Sequence, residues 1–209
     1  MRVKICGLTR AEDARMAQEL GAWALGFIFY PRSKRYITPA AAKPVIASLP
    51  AAAQPIGVFV NQTLEAVAVG NDLVLKGLQL HGDETPDECK RVRDNFGGLL
   101  IKALRPEKES DLEAIAAYKG IADYILLDAA VAGQYGGTGQ TGDWSLAGKA
   151  KTYGIPVILA GGIGPENIQS AMAAHPFACD LAGGVEASPG VKDPEKLKAL
   201  FGALKGMAA

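Results

Sequence analysis

Short apolar runs recur along the chain, and longer segments that mix polar, alanine and apolar residues separate them. The runs have the length and composition of buried strands and predict eight of them: Val3–Cys6, Ala24–Phe29, Ile56–Val60, Gly77–Leu80, Leu99–Ala103, Tyr124–Asp128, Val157–Ala160 and Ala178–Ala182. The segments between them predict eight helices, at about residues 10–20, 39–48, 63–73, 84–95, 108–119, 145–153, 165–173 and 193–205. Strand and helix therefore alternate along the whole sequence.

Strict alternation of apolar strands with crossover helices is typical of a parallel sheet covered by helices. Eight such units most often close into a ring, so the sequence predicts an α/β fold, the (β/α)8 TIM barrel. With 209 residues the chain fits a single barrel domain spanning residues 1–209. An open, doubly wound sheet is the alternative.

Local signals mark several helix starts and one long loop. Thr38-Pro39, Gly164-Pro165 and Asp193-Pro194 each place proline after a potential N-cap, where its missing N–H costs nothing. The glycine-rich stretch at residues 129–143 falls between the sixth strand and its helix. Its place inside a strand–helix unit predicts a mobile active-site loop rather than a linker between domains.

Composition narrows the functional classes. Lys plus Arg total 22 and Asp plus Glu total 22, so there is no broad charge to attract nucleic acid or an anionic membrane. The three cysteines are widely spaced and odd in number, which argues against a disulfide framework and favours a reducing compartment. The N-terminal residues lack the apolar run of a signal peptide, so we expect a cytoplasmic protein acting on a small molecule.

Barrel enzymes carry their catalytic groups at the carboxyl ends of the strands, and the first predicted strand ends in Cys6. Cys6 and Lys4 share one face of this strand, while Val3 and Ile5 share the other. If Val3 and Ile5 face the helices, Lys4 and Cys6 face the lumen. A free cysteine is more often a buried filler, but this position favours a general base or nucleophile whose thiolate Lys4 stabilises.

A carboxylate, Asp128, ends the sixth predicted strand. In an eight-stranded ring the sixth strand lies three positions from the first, so we expect Asp128 roughly across the mouth from Cys6, as an acid opposite a base. Asp180 on the last strand and Arg35 in the second loop are the further charges expected to contact substrate. The alternatives are a loop-capping role for Asp128 and a solvated surface position for Arg35.

Two glycine pairs, Gly161-Gly162 and Gly183-Gly184, follow the seventh and eighth predicted strands. The loops after these strands commonly hold phosphate in such barrels, because glycine lets backbone N–H groups approach an anion. The pairs therefore predict a phosphate site, with tight-turn geometry alone as the alternative.

The remaining motifs predict neither a nucleotide nor a metal. The glycine run at residues 136–142 lacks the Lys-Ser/Thr ending of a phosphate-binding P-loop. His81 and His175 show no metal-type spacing with acidic or cysteine partners, so we interpret both as hydrogen-bonded structural histidines. We expect no metal and no cofactor.

Taken together, the segments resemble the successive signatures of the phosphoribosylanthranilate isomerase family, in order and over essentially the whole chain. They are Lys4–Arg10, Gly26–Tyr36, Gly57–Asn61, Gln79–Glu84, Leu126–Asp128, Gly136–Gly139, Leu159–Gly162 and Gly184–Asp193. The resemblance implies a cofactor-free Amadori rearrangement of N-(5-phospho-β-D-ribosyl)anthranilate to 1-(2-carboxyphenylamino)-1-deoxy-D-ribulose 5-phosphate, in tryptophan biosynthesis. We expect a monomer or homodimer.

The resemblance further implies roles for single residues. Asp128 matches the family's general acid, which protonates the furanose ring oxygen, and Cys6 matches the general base, which removes the C2 proton. Arg35 matches the group that receives the anthranilate carboxylate. The two glycine pairs match the phosphate site, and the lid loop carries Gly136, Gly137, Thr138 and Gly139.

The chain departs from the family pattern at two places. Ala182-Gly183-Gly184 stands where Ser-Ser-Gly is common, which predicts a phosphate site that relies more on backbone, and Gly142 replaces an aromatic residue, which predicts a looser lid. Two other readings remain: a related phosphosugar isomerase such as that of histidine biosynthesis, which carries a carboxylate where Cys6 stands, and a catalytically inactive barrel that only binds phosphorylated ligands.

Overall fold

Eight parallel strands close into a ring, in which each strand pairs with the next and the last pairs with the first. The computed structural model describes residues 1–128 and 144–206. The strands are β1 (Val3–Cys6), β2 (Ala24–Ile28), β3 (Pro55–Phe59), β4 (Gly77–Leu80), β5 (Leu99–Leu104), β6 (Tyr124–Leu127), β7 (Val157–Leu159) and β8 (Ala178–Leu181). Closure confirms the predicted TIM barrel and rules out the open sheet, because β1 and β8 are hydrogen-bonded neighbours.

Seven α-helices lie among the described residues: α1 (Ala11–Leu20), α2 (Pro39–Ala47), α3 (Thr63–Asp72), α4 (Pro86–Asn95), α5 (Ser145–Ala150), α6 (Ile168–Ala173) and α7 (Pro194–Gly206). The predicted caps hold at two of them. Thr38 accepts a hydrogen bond from the Ala41 N–H at the start of α2, and Asp193 accepts from the first turn of α7. These side chains satisfy N–H groups that the helix itself leaves unpaired.

The fifth crossover differs in type from the prediction, since residues 109–118 form a 3₁₀ helix instead of an α-helix. Its buried side chains are Leu112, Ile115 and Tyr118, each three residues after the last. A 3₁₀ helix has three residues per turn, so this spacing puts all three on one face toward the strands. The period of the apolar residues thus fits the tighter helix better than the 3.6-residue turn.

Helix α6 begins later than predicted, at Ile168 instead of residue 165. The Asn167 side chain accepts from the Gly164 N–H and donates to the Gly162 carbonyl, both at 2.8 Å. These two bonds fold the preceding residues into a turn. The N-cap position of α6 is therefore Asn167, whereas the sequence suggested Gly164. This turn fixes the loop that follows β7.

A short segment after β8 was missing from the sequence prediction. Residues Gly183–Val185 form a 3₁₀ turn, and a two-stranded antiparallel ribbon follows, β9 (Glu186–Ser188) and β10 (Val191–Lys192). The ribbon precedes α7. It brings Glu186 and Lys192 to the end of β1.

Side-chain alternation along the strands separates two apolar layers. Val3 and Ile5 belong to the layer between the strands and the helices, as predicted. A second cluster fills the lumen, with Ala24, Ile56, Ile101, Ala103, Leu126, Ile158, Ala160 and Ala178. Trp23, Tyr124 and Phe177 pack against this cluster and close the amino-terminal end of the barrel.

No helix among residues 1–128 and 144–206 combines the length and the hydrophobicity needed to cross a lipid bilayer.

Candidate active site

One cavity opens at the carboxyl end of the barrel and gathers the residues that the sequence singled out. Cys6, Asp128, Arg35, Asp180, Gly161, Gly162, Gly183 and Gly184 all line it. The expected lid residues Gly136, Gly137, Thr138 and Gly139, and also Gly142, lie outside the described residues. β6 and β1 are separated by β7 and β8, as predicted, so Asp128 and Cys6 enter the cavity from separate parts of its wall.

Cys6 is held at the end of β1 and is 6% exposed. Its neighbour in the register is Gly26 of β2. A Cβ atom at Gly26 would lie 2.7 Å from the Cys6 sulfur and 3.1 Å from Cys6 Cα, so only glycine leaves the thiol its space. Gly26 therefore shapes the site although it carries no side chain.

The Lys4 ammonium, fully buried, donates to both oxygens of Asp180, at 2.9 and 3.0 Å. Burial lowers the pKa of Lys4, but the charges and hydrogen bonds of Asp180 and Cys6 together more than offset this, so the net shift of the Lys4 pKa is upward and Lys4 is a cation. Burial raises the pKa of the Cys6 thiol, and the nearby Lys4 charge opposes that rise only in part. Lys4 thus favours the thiolate as expected, yet the unliganded site holds Cys6 as a thiol.

Asp128 is bound to a histidine that the sequence analysis had interpreted as structural. His81 Nε2 lies 3.2 Å from Asp128 Oδ2, and His81 Nδ1 lies 2.7 Å from the side-chain nitrogen of Gln79. All three side chains are buried and line the cavity. His81 is hydrogen-bonded, as predicted, but its partner is the candidate general acid.

Arg35 is not a solvated surface residue. Its side chain is 13% exposed and donates hydrogen bonds from Nε and Nη2 to the Glu186 carboxylate. Lys192, fully buried, donates to Glu186 at 2.8 Å and to the backbone carbonyl of Cys6 at 2.6 Å. Burial raises the pKa of Glu186. Its contacts with Arg35 and Lys192 together lower the pKa by more than burial raises it, so the net shift is downward. This carboxylate therefore fixes Arg35 at the rim of the cavity.

The two glycine pairs form adjoining loops. Gly161 and Gly162 have φ angles of 93° and 62°, a left-handed backbone that glycine adopts without strain. A Cβ at Gly184 would collide with the carbonyl oxygen of Ile163, so glycine allows the two loops to touch. Within the part of the chain that the structure describes, the N–H groups of Gly161 and Gly162 have no hydrogen-bond partner. They are donors available to an anion.

The cavity wall also has an apolar part, formed by Ile28, Val58, Val60, Ala160 and Ile163, and Tyr30 and Ser33 line the cavity as well. The cavity thus offers an apolar surface for a flat ring, an arginine at the rim, a thiol, a carboxyl group and two glycine loops for an anion. That combination suits acid–base chemistry on a phosphorylated substrate.

Sequence reasoning missed Gln79, Glu186, Lys192 and Gly26 as site residues, although each lies in a segment that carried the family resemblance. One signal was present: Gln79 and His81 are two residues apart at the end of β4, so they share the lumen face. His175, in contrast, is an exposed residue at the end of α6 and lies outside the cavity. The described residues contain no group of three or more His, Cys, Asp or Glu side chains that could hold a metal ion.

A family model described as N-(5'phosphoribosyl)anthranilate (PRA) isomerase matches residues 3–203 of the chain. The N-(5'-phosphoribosyl)anthranilate isomerase of Syntrophus aciditrophicus is 44% identical over 209 residues, covering 97% of this chain and 86% of the relative. The crystal structure of the Thermus thermophilus phosphoribosyl anthranilate isomerase shares 40% identity and superposes with a TM-score of 0.89, covering 99% of this chain and 100% of that one.

Another phosphoribosyl anthranilate isomerase has been solved in complex with reduced 1-(o-carboxyphenylamino)-1-deoxyribulose 5-phosphate. It is 38% identical, with a TM-score of 0.86, and the match covers 99% of each chain. The similarity therefore extends over the whole barrel. One of the similar proteins was solved with a phosphorylated sugar derivative of an aminobenzoate bound.

Proposed function

The chain belongs to the N-(5'-phosphoribosyl)anthranilate isomerase family, and we propose that Cys6 and Asp128 are the general base and the general acid of its reaction. The protein is a phosphoribosylanthranilate isomerase of tryptophan biosynthesis. One observation carries the proposal: the Cys6 thiol, at the end of β1, and the Asp128 carboxyl group, at the end of β6, line the same cavity.

The reaction converts an aldose amine to a ketose amine, so a proton must be added at the ring oxygen and at C1 and removed from C2 and from the C2 hydroxyl. Asp128 protonates the furanose ring oxygen, the C1–O bond breaks, and the nitrogen lone pair forms a C1=N bond. Beside the positive Schiff base the Cys6 thiol releases its own proton to solvent, and the resulting thiolate removes the C2 proton. The C2–H electron pair forms the C1=C2 bond and the C1=N pair returns to nitrogen, which gives an enolamine. Ketonisation at C2 with protonation at C1 yields the aminoketose, so the reaction is an internal oxidation and reduction, as in an aldose–ketose isomerase.

The charges around Cys6 support its role as base. The unliganded site keeps a thiol, because burial raises the pKa of Cys6, and a buried neutral thiol is the less reactive form. The Schiff base formed by ring opening carries a positive charge next to C2, which makes the C2 proton more acidic and stabilises a nearby thiolate. Lys4, beside Cys6, adds to the same effect.

The remaining residues bind the two ends of the substrate. Gly161, Gly162, Gly183 and Gly184 hold the phosphate with backbone N–H groups, since Ala182 offers no hydroxyl. Arg35 receives the anthranilate carboxylate while Glu186 fixes its Nε and Nη2. Asp180, neutralised by Lys4, contacts the ribose portion between them.

We propose that the enzyme acts on a free small molecule in the cytoplasm, as a monomer or homodimer and without nucleic acid. Its three free cysteines are all buried, which suits a reducing compartment. The even balance of acidic and basic residues gives no net charge to attract a polyanion.

The test is turnover of freshly made phosphoribosylanthranilate, followed by the loss of anthranilate-type fluorescence. We expect Cys6→Ala and Asp128→Asn each to lower kcat by a factor on the order of 10² or more, the usual effect of removing a proton-transfer group. Matched controls are Cys89→Ala, a buried thiol on the helix side of the barrel, and Asp72→Asn, an exposed carboxylate. A Cys6 or Asp128 variant that turns over as fast as its control would refute the role assigned to that residue.

A further inference from the structure

A buried lysine next to the cavity takes part in no step of the mechanism above. Lys192 is 1% exposed, and its ammonium donates to the Glu186 carboxylate at 2.8 Å and to the backbone carbonyls of Cys6 and Ala182 at 2.6 and 3.2 Å. Only the protonated amine has three N–H groups for these three acceptors, so Lys192 is a cation with every donor in use. It lies outside the lining of the cavity and has no donor left for a substrate.

Two cations share the Glu186 carboxylate. Arg35 donates to it from Nε at 2.9 Å and from Nη2 at 2.7 Å, in addition to the bond from Lys192. The contacts with both cations lower the pKa of Glu186, so this side chain is ionised at neutral pH. One carboxylate between two cations leaves the three side chains with one net positive charge.

We propose that Lys192 is a positioning residue for recognition of the substrate carboxylate, because it balances the charge of Glu186 and leaves that of Arg35 to the substrate. This rests on the proposed function, in which Arg35 receives the anthranilate carboxylate. Without Lys192, Arg35 and Glu186 would form a neutral pair, and the attraction of Arg35 for a second carboxylate would be cancelled by repulsion from Glu186. With Lys192 in place, the substrate carboxylate neutralises the remaining positive charge.

The Glu186 contact also decides which edge of the Arg35 guanidinium is available. Nε and Nη2 point at Glu186, and among residues 1–128 and 144–206 no hydrogen bond involves Nη1. A guanidinium has five N–H donors in one plane, so the edge formed by Nη1 and Nη2 remains for a carboxylate. A Cβ at Gly183 would lie 3.2 Å from Nη2, and one at Gly7 would lie 2.5 Å from Arg35 Cδ, so two glycines give this side chain its space. The site should favour arylamine glycosides that carry a carboxylate.

The test measures the binding of two stable probes to the intact protein by titration calorimetry. One probe is reduced 1-(o-carboxyphenylamino)-1-deoxyribulose 5-phosphate, and the other is the matching phenylamino compound, which lacks only the carboxylate. The ratio of their Kd values isolates recognition of the carboxylate, since the probes share the phosphate and the sugar chain. We expect Lys192→Met to lower this preference for the carboxylate roughly tenfold, with little change in the Kd of the phenylamino probe.

Two further variants separate charge from packing. Lys196→Met is the matched control, because Lys196 donates to the backbone carbonyl of Glu186 at 2.8 Å instead of to its carboxylate, and it should leave the preference unchanged. The double variant Lys192→Met with Glu186→Gln removes both opposite charges, so Arg35 is no longer neutralised and the preference should return. A purely structural role for Lys192 predicts no such recovery.

The outcomes distinguish this inference from the proposed function. Equal weakening of both probes by Lys192→Met, or an unchanged preference, would overturn the inference while leaving the role of Arg35 intact. A preference that survives Arg35→Met would refute the role of Arg35 and the inference with it. If Lys192→Met does not fold, Lys192→Gln gives the same test, because its amide offers the Cys6 carbonyl an N–H donor without the charge.

Discussion

The two ends of the barrel lumen are built on the same eight strands and are filled in opposite ways. At the amino-terminal end Trp23, Tyr124 and Phe177 meet with ring centroids 4.6 to 5.6 Å apart, and the Arg2 guanidinium lies 4.4 Å from the centre of the Phe177 ring. At the carboxyl end ionisable side chains enter the lumen, and four of them form two pairs, Lys4 with Asp180 and His81 with Asp128. Apolar packing of aromatic and aliphatic side chains fills the amino-terminal end, whereas pairwise contacts between charged and polar groups characterise the carboxyl end.

A single strand shows how the sequence produces both ends. Tyr124, Leu126 and Asp128 alternate with the helix-facing residues of β6, so one face runs from an aromatic ring through an aliphatic side chain to a carboxyl group. Apolar packing tolerates exchange of similar volumes, whereas a buried charge depends on its partner. The two ends should therefore respond differently to substitution.

The largest effect on stability is expected at the carboxyl end, from Asp180→Asn. This change leaves the fully buried Lys4 without its counter-charge, and breaking a buried pair by removing one partner costs about 3–5 kcal/mol. Urea denaturation measures the loss. The double variant Lys4→Met with Asp180→Asn, which has no buried ammonium, should recover most of it; a double variant no more stable than the single one would contradict this account.

At the amino-terminal end, Ile56→Ala should cost about 3 kcal/mol of unfolding free energy and leave kcat unchanged. Ile56 is fully buried in the lumen, and its Cδ1 occupies the space beside Gly77, which has no side chain to fill the gap. Leu64→Ala, at a position that is 84% exposed, is the control and should change stability by less than about 0.5 kcal/mol. A loss of kcat in folded Ile56→Ala would show that the two ends are coupled.

The third prediction concerns pH and Glu186. Because its pKa is lowered in the folded protein by Arg35 and Lys192, its stabilising contribution is complete above the pKa of an unfolded glutamate and is lost as the pH falls through the lower, folded value. We expect the unfolding free energy of the wild-type protein to fall more, as the pH drops below the pKa of an unfolded glutamate, than that of Glu186→Gln. Parallel pH profiles for the two proteins would refute this contribution.

The smallest expected effect is a gain. Val74, in the loop before β4 at the amino-terminal end, has a φ of 51° and is 69% exposed, so a β-branched residue holds a left-handed backbone without burial to offset it. Val74→Gly should raise stability by about 1 kcal/mol.

Asn61, at the carboxyl end, has a similar φ of 55°, but its side chain accepts from the Asp83 N–H at 2.8 Å. Asn61→Gly is therefore the matched substitution and should bring no gain. Thermal unfolding of both variants decides the comparison, and a Val74→Gly protein that melts no higher than wild type would contradict it.

The fold was predictable because it depends on the period of apolar and polar residues. Val3 and Ile5 alternate with Lys4 and Cys6 in the sequence, and in the barrel the two pairs lie on opposite faces of β1. Boundaries were less predictable where side chains bond back to the chain, as Asn167 does before α6. The 3₁₀ helix was missed because an apolar spacing of three residues fits both helix types over a short segment.

The sequence predicted those site residues that lie at the ends of strands or in the glycine pairs. Cys6 and Asp128 end their strands, and that position alone brings them to the cavity. The pairing of Arg35 with Glu186, 151 residues apart, depends on the ribbon β9–β10 and has no local signal. The contact of His81 with Asp128 is likewise between residues distant in sequence, and only the closed ring brings them together.

The Lys192 contact has a consequence for how the protein is made. Its ammonium joins the Cys6 carbonyl, 186 residues earlier in the chain, and β1 completes the ring by pairing with β8. Contacts of such sequence separation form late and slowly. During synthesis on a ribosome, the Cys6 carbonyl finds this partner only after residue 192 has left the exit tunnel. Activity should thus require the chain as far as Lys192, and removing the ribbon β9–β10 together with α7 should abolish activity.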